Sequence, residues 1–188
     1  MPFTDLVILS LTYGFFLLLG VILADICSGF VHWFIDQYGN PKWPFIGAFI
    51  EDNQRHHRAP NAFLLHGFMK RNVGAMVIVA VLFVLFWGLD WLNIVTLTAL
   101  IVGSFGNEIH GFSHRNVVPW PVKALRSVGL LQSRRSHMRH HIGNQDEYYC
   151  VITAWLNPFL DRFDIWARME RVIERVFKVA PHQSRQAV

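Results

Sequence analysis

Residues 73–114, VGAMVIVAVLFVLFWGLDWLNIVTLTALIVGSFGNEIHGFSH, contain two long apolar runs with a short polar break between them. The first run covers Val73–Trp91, and the second covers Ile94 to about His114. A helix needs about 20 mostly apolar residues to cross the hydrocarbon core of a bilayer. Each run meets that length, and the polar stretch Asp90–Asn93 suits a tight turn. The segment therefore predicts two transmembrane helices joined by a turn.

A third apolar segment lies near the N-terminus. It begins near Phe3, is apolar through Leu6–Ile22 and continues to Ile35, so as one helix its last turns should project into the aqueous interface. Apolar residues make up 53% of the 188 residues and charged residues only 16%, whereas soluble domains are about a quarter charged. These features predict an all-α integral membrane bundle with about three transmembrane helices. We expect one domain over residues 1–178 and a disordered C-terminal tail over 179–188.

The basic residues predict the orientation of the chain in the membrane. Every Lys and Arg lies in the loop 36–72 or after residue 114, and none lies in residues 1–4 or in the turn near Asp90. Basic residues favour the cytoplasmic side, so we expect a multi-pass protein with its N-terminus outside. The net charge of +4 is then explained without a nucleic-acid partner. The short chain favours a bacterial inner membrane over the endoplasmic reticulum.

Two amphipathic segments follow the last predicted span. After Pro121, apolar residues from Val122 to Leu131 recur every three positions, with Lys123 on the other face. After Pro158, apolar and arginine positions again alternate at helical spacing. Such helices either lie on a membrane surface or pack against spanning helices, and both readings are open here. We expect cytoplasmic interfacial helices that carry the histidine motifs described next.

Nine of the ten histidines fall on the predicted cytoplasmic side or inner interface, and most of them are clustered in sequence, although His66 has no clustered neighbour. Residues four apart share a helix face, so the His110 and His114 side chains can bind one ion together, and Asp36 can act with His32. Nine imidazoles exceed the four ligands of a zinc site and suit two ions with open positions. Imidazole binds Zn, Cu, Fe and Ni, so ligand type alone does not select the metal. The nine candidate ligands are His32, His56, His57, His66, His110, His114, His137, His140 and His141.

Carboxylates near these histidines are candidates for hydrogen bonds from the imidazole N–H groups. Asp36, Glu108, Asp146 and Glu147 are close enough in sequence to serve in this way. Gly29 on the first helix permits the close approach of a neighbouring segment. Asp36 is thus expected to be either a metal ligand or a base beside the metal.

Three kinds of metal chemistry are compatible with such clusters. Two open metal sites can activate O₂ and remove hydrogen from an unactivated C–H bond. Metal-assisted hydrolysis is less favoured, because Gly111 follows His110 where the zinc-peptidase helix has Glu. Metal transport would place ligands near the bilayer midplane, and haem would need one facing pair of histidines. Oxygen activation fits best, and a non-enzymatic metal-binding or transport protein is the alternative from another class.

The histidine motifs resemble the histidine boxes of membrane desaturases and hydroxylases. The match extends over residues 20–160 and is similar to the Kua lipid desaturase family, to which plasmanylethanolamine desaturase belongs. The motifs that carry it are Ala24-Asp25-x-x-Ser28-Gly29-x-x-His32-Trp33-x-x-Asp36, Ala62-x-x-x-His66-x-Phe68, Asn107-x-x-His110-x-x-x-His114, the H-x-x-H-H at 137–141 and Tyr149-Cys150-x-x-x-x-Trp155-Leu156-Asn157.

The resemblance implies a diiron enzyme that uses O₂ and two electrons to desaturate an intact membrane phospholipid. It implies the vinyl ether of plasmalogens as the product, with a trans alkene in an acyl chain of phosphatidylglycerol, or a hydroxylated chain, as alternatives. No flavin or haem segment is visible in the sequence, so a separate electron donor is expected. The basic cytoplasmic surface favours an acidic donor such as a cytochrome b5-like protein or a ferredoxin.

Overall fold

The computed structural model describes residues 2–142 and 145–182, and this part of the chain is helical and contains no strand. The predicted all-α class is confirmed. A 3₁₀ turn, Ala62–Leu65, follows the second helix. The α-helices are α1 (Phe3–Tyr38), α2 (Gly47–Arg58), α3 (Phe68–Gly88), α4 (Ile94–Ser104), α5 (Gly106–His114), α6 (Trp120–Ser127), α7 (Arg134–His141), α8 (Leu156–Arg162) and α9 (Ile165–Phe177).

Two of these helices, α1 and α3, are long and apolar enough to cross a membrane. Nearly all side chains in their apolar stretches are exposed or partly exposed, which suits contact with lipid and would be costly in water. The second apolar run of the sequence differs from the expected single helix. It forms two helices, α4 and α5, separated at Phe105, so the count of three crossings stays a prediction.

Helices α1 and α4 pack closely in the apolar part of the bundle. A side chain at Gly20 of α1 would place its Cβ 2.5 Å from Thr98 Cβ and 2.7 Å from the Val95 carbonyl oxygen, so only glycine permits this approach. The predicted turn before α4 is present. There the Asn93 side chain accepts hydrogen bonds from the N–H groups of Val95 and Thr96 and begins α4.

The C-terminal helices pack around the inner end of α1. Trp166 of α9 lies within 5.9 Å of the Trp33 ring centroid, and the Trp33 Nε1–H donates to Glu170 at 3.0 Å. The second amphipathic segment therefore packs against α1, one of the two arrangements that the sequence left open, while its contact with a membrane surface stays a prediction. The predicted tail falls partly on residues 183–188, outside the described residues. His182 is described, and its N–H donates to the Gln37 carbonyl at 2.8 Å.

Candidate metal centre

Two groups of side chains, each able to hold a metal ion, lie at the inner end of the bundle. In each group the donor atoms all lie within 4.8 Å of one another. Most of these residues are buried. Group A consists of His56, His110, His114, His137 and His141, and group B consists of His32, Asp36, His57 and His140.

Helices α5 and α1 each supply two candidate ligands that are four residues apart. The predicted pair His110 and His114 occupies adjacent turns of α5 and lies in group A. His32 and Asp36 are related in the same way on α1 and lie in group B. Each pair therefore contributes both of its donor atoms to the same group, as the spacing predicts.

Consecutive histidines on two short helices divide between the groups. On α2, His56 belongs to group A and His57 to group B; the His56 and His57 ring centroids are 4.4 Å apart. On α7, His141 belongs to group A and His140 to group B. Adjacent helix residues project about 100° apart, so each His–His dipeptide can reach two neighbouring ions. This arrangement places the two groups side by side.

The ring nitrogens of group A are closely spaced. Their Nε2 atoms are 2.9 Å apart for His110–His137 and His137–His114, and 3.0 Å apart for His114–His110 and His141–His137. A neutral imidazole has one N–H and one acceptor nitrogen, so three Nε2 atoms in mutual contact cannot all be satisfied by one another. Two nitrogens bound at right angles about 2.1 Å from one ion would be about 3.0 Å apart. The donor set fits a metal ion.

Group B surrounds one carboxylate oxygen. Asp36 Oδ2 lies 3.1 Å from His57 Nε2, 3.3 Å from His140 Nε2 and 3.4 Å from His32 Nε2. Asp36 Oδ2, His32 Nε2 and His140 Nε2 are buried and have no hydrogen-bond partner in the described part of the chain. Buried polar atoms without partners are costly unless an ion engages them. One oxygen and three nitrogens converging in this way also fit a metal ion.

Backbone carbonyls orient the imidazoles of both groups. Nδ1 of His32 lies 3.0 Å from the Tyr149 carbonyl oxygen, and Nδ1 of His140 lies 2.7 Å from the Glu147 carbonyl oxygen. His56 Nδ1 contacts the Asn53 carbonyl in the same manner. A proton held on Nδ1 leaves Nε2 free to bind a metal. The sequence did not indicate these acceptors, since they are main-chain atoms.

A buried carboxylate on α1 fixes the segment that carries one of these carbonyls. Asp25 accepts hydrogen bonds from the N–H groups of Ile152 (2.9 Å) and Thr153 (3.0 Å) and from the Thr153 hydroxyl (2.5 Å). Three residues before Ile152, Tyr149 contacts His32. At Gly29, an added Cβ would lie 2.5 Å from Cys150 Sγ, so the expected close neighbour is this same segment.

Burial favours the metal-binding form of the histidines outside the spans. Desolvation lowers the pKa of His56 and His137 well below the usual imidazole value, and neighbouring imidazoles lower it further. The same causes lower the pKa of His141 to about 2. These rings are therefore neutral at physiological pH and have a lone pair available for a cation.

Two predicted site residues lie apart from the groups. His66 belongs to neither group, although it lines a small cavity together with His56 and His110. The Glu108 carboxylate binds Arg71 at 2.5 Å and Arg115 at 3.5 Å. Glu108 thus connects α5 to α3 through arginine, whereas the sequence indicated a bond to an imidazole.

Comparison with known proteins identifies the family of this chain. The sequence model of the lipid desaturase domain family matches residues 21–184. The chain belongs to this family. It is 31% identical over 185 residues to plasmanylethanolamine desaturase 1 of Mus musculus, covering 91% of this chain and 66% of that protein. The resemblance seen in the sequence motifs is confirmed.

Two further relatives are similar to this lipid desaturase domain. Chloroplastic fatty acid desaturase 4-like 2 of Arabidopsis thaliana is 35% identical over 171 residues, which cover 86% of this chain and 60% of that protein. Plasmanylethanolamine desaturase of Myxococcus xanthus is 30% identical over 174 residues, covering 88% and 62%. The chain thus spans about 60–66% of the length of these three relatives. No solved structure matches it.

An apolar cavity reaches the candidate metal centre of this lipid desaturase domain from the side of the long apolar helices. It has a volume of about 220 Å³ and lies between α1, α3 and α4. Leu23, Leu82 and Phe86 line its deep part, whereas His32 and His110 line the end at the metal centre. The cavity therefore contacts one histidine from each group.

A second, polar cavity reaches group B from another direction. It has a volume of about 580 Å³, and Asp36 and His57 form part of its wall. Lys42, Arg58 and His182 also line it, so its rim is basic. Group B therefore borders on both an apolar and a polar cavity.

Proposed function

We propose that this chain is a membrane-bound diiron lipid desaturase that uses O₂ and two electrons to introduce a double bond into an intact phospholipid, forming the vinyl ether of plasmalogens. The observation that carries the proposal is the apolar cavity that ends on His32 and His110. These two residues belong to different metal groups, so a hydrocarbon chain in the cavity would meet both ions.

Iron would supply the chemistry that no side chain can perform. The balanced reaction converts CH₂–CH₂, O₂, two electrons and two protons into CH=CH and two waters. We assign the eight histidines of groups A and B as ligands, with Asp36 as a ligand in group B. His66 is assigned a place near the ligands, because its Nε2 is buried without a partner in the described chain. Burial of most of these imidazoles keeps their donor atoms in place.

The position of the metal groups along the cavity supports a reaction near the polar end of the lipid. The α1 lining extends from Leu23 to Ile35, or about 18 Å at 1.5 Å per residue, and the metal groups lie at the Ile35 end. A phospholipid with its headgroup at the same membrane face would present carbons close to the glycerol. The remaining chain would extend into the deep part of the cavity.

The polar cavity supports the supply of electrons from the aqueous side. Lys42 and Arg58 give its rim a positive charge, and Asp36 of group B lies in its wall. We propose a separate acidic donor, either a cytochrome b5-like protein or a ferredoxin, docking here. We also propose a multi-pass protein of the bacterial inner membrane with one domain over residues 1–178, its metal groups at the cytoplasmic face and its N-terminus outside.

The second candidate is desaturation of an acyl chain in another phospholipid. The likeness to chloroplastic fatty acid desaturase 4-like 2 favours it, and a trans alkene in phosphatidylglycerol would be a product of this kind. The same metal groups and cavity would serve either reaction, because both remove two hydrogens from adjacent carbons.

Expression in a host without plasmalogens separates the candidates. The cells receive alkyl-ether phospholipid, and their lipids are analysed by mass spectrometry before and after mild acid. An acid-labile product two hydrogens lighter is expected, since a vinyl ether hydrolyses in acid. An acid-stable product two hydrogens lighter would replace the vinyl-ether assignment with the acyl-chain one.

Histidine variants control this experiment. His114→Ala and His140→Ala each remove one ligand from a different group, so both are expected to abolish the product while the protein still inserts. His182→Ala removes a histidine that belongs to neither group and is expected to leave the metal ligands in place. Because His182 lines the proposed donor cavity, the control expected to keep activity is Asp5→Asn, which alters an exposed acid on α1. Product from either ligand variant would contradict the assignment.

A further inference from the structure

A small cavity adjoins the apolar cavity at the level of the metal centre. It has a volume of about 60 Å³. Four residues line both cavities, namely Phe49, Asn53, Asn107 and His110. The lining changes in character between the two, because the small cavity adds charged side chains from α2 and α3. The two cavities thus share a wall at the level of the metal groups, and charged side chains line the small one.

Most charges around the small cavity are already neutralised within the protein. Arg71 binds Glu108 at 2.5 Å and donates to the Leu64 carbonyl at 3.4 Å. Asp52 binds Arg55 at 2.5 Å. Lys70 is exposed and has no ion pair or hydrogen bond with any residue in the described part of the chain. Its ammonium group is therefore the cation available to a ligand at this cavity.

The place of Lys70 in the fold suits an anion at the membrane surface. It lies in the first turn of α3, at the end of this apolar helix that the basic residues assign to the cytoplasmic face. A flexible lysine at such a position extends its ammonium toward lipid headgroups. An ammonium also forms charge-assisted hydrogen bonds to phosphate oxygens.

We propose that Lys70 binds the phosphate of the phospholipid whose hydrocarbon chain occupies the apolar cavity. The inference rests on the proposed lipid substrate and adds the residue that recognises its headgroup. A phosphate held at Lys70 lies on the same cavity wall as His110 of group A. It would fix the lipid along the cavity and so determine which carbons face the metal groups. Lys70 accordingly positions the lipid substrate and determines which of its carbons react.

Binding without turnover tests this assignment. The probes are an alkyl-ether phospholipid with a photoactivatable group in its chain and a matched alkylacylglycerol that lacks the phosphate. Each is crosslinked to the full protein in bilayer discs under anaerobic conditions without a reductant. The proteins compared are the wild type, Lys70→Ala, Lys70→Arg and the control Lys123→Ala, which alters an exposed lysine on α6.

Lys70→Ala is expected to weaken crosslinking of the phospholipid by about tenfold, the loss of one charge-assisted hydrogen bond, and to leave the phosphate-free probe unchanged. Lys70→Arg should retain most of the phospholipid binding, and Lys123→Ala should match the wild type. An equal loss for both probes, no loss with Lys70→Ala, or the same loss with Lys123→Ala would overturn the inference.

The phosphate site and the proposed function can be refuted independently of each other. Selective loss of phospholipid binding in Lys70→Ala, together with no desaturated product from the reduced wild-type protein, would support the phosphate site and contradict the desaturase. A desaturated product from the wild type, with Lys70→Ala binding both probes normally, would support the desaturase and contradict the phosphate site.

Discussion

Asp25 connects the spanning part of α1 to the metal centre through main-chain atoms. Its carboxylate accepts from the N–H groups of Ile152 and Thr153, and the nearby Tyr149 carbonyl contacts His32 Nδ1. The orientation of a ligand in group B therefore depends on a carboxylate seven residues earlier on the same helix. The Asp25 side chain is fully buried, so solvent water cannot take the place of its carboxylate as the hydrogen-bond acceptor.

Asp25→Asn is expected to destabilise the protein by about 1–3 kcal/mol, because an amide NH₂ would face buried N–H donors. The thermal midpoint of the purified protein in detergent measures the effect. Asp5→Asn is the matched control, since Asp5 is an exposed acid on the same helix and its replacement should leave the midpoint unchanged. Equal midpoints for the two variants would show that Asp25 does not hold the 149–153 segment.

Individual ligands could be predicted from the sequence better than their partners. The i, i+4 spacing of His110 and His114 fixes their common face whatever surrounds them. The carbonyls of Glu147 and Tyr149 could not be identified, because any residue carries a carbonyl and only the fold brings these two to His140 and His32. Glu108 was assigned to an imidazole on sequence proximity, whereas Arg71 on another helix binds it.

At the scale of helices, the break in the second apolar run has structural consequences. α4 ends at Ser104 and α5 begins at Gly106, so His110 and His114 lie on a separate short helix. The Asn107 side chain donates to the Arg71 carbonyl at 2.7 Å, and Asn72 accepts from the Glu108 N–H at 3.1 Å. These bonds attach the start of α5 to α3, and they position His110 at the end of the apolar cavity.

The sequence predicted the apolar run but not this break. The glycines on either side of Phe105 are common in membrane helices, so they do not by themselves indicate an interruption. What stabilises the break is hydrogen bonding from Asn107 and Glu108 to Arg71 and Asn72, and these two acceptors precede the break by more than 30 residues. Hydropathy contains no information on such partners.

Close packing of α1 on α4 gives a prediction at the same scale. Gly20→Ala is expected to destabilise the bundle by about 1–3 kcal/mol, because its Cβ would overlap with Thr98 and the Val95 carbonyl. Gly14→Ala on the same helix is the control, since nothing lies within 4 Å of an added Cβ there. It should be neutral or slightly stabilising. Thermal midpoints in detergent compare the two, and equal values would contradict the packing of α1 on α4.

At the scale of the whole molecule, the metal centre lies between two different environments. The apolar cavity leads from His32 and His110 along the spanning helices, and the polar cavity leads from Asp36 and His57 to a basic rim. A lipid chain and an aqueous electron donor can therefore approach the same centre without competing for space. The exposed apolar surfaces of α1 and α3 suit the membrane in which such a substrate is dissolved.

The iron content of the purified protein tests the central claim most directly. Two irons per folded chain are expected in the wild type and in His182→Ala. One iron is expected in His114→Ala, which removes a ligand of group A, and in His140→Ala, which removes a ligand of group B. A wild type with one iron or with another metal in its place, or ligand variants that retain two irons, would contradict a diiron centre built from these two groups.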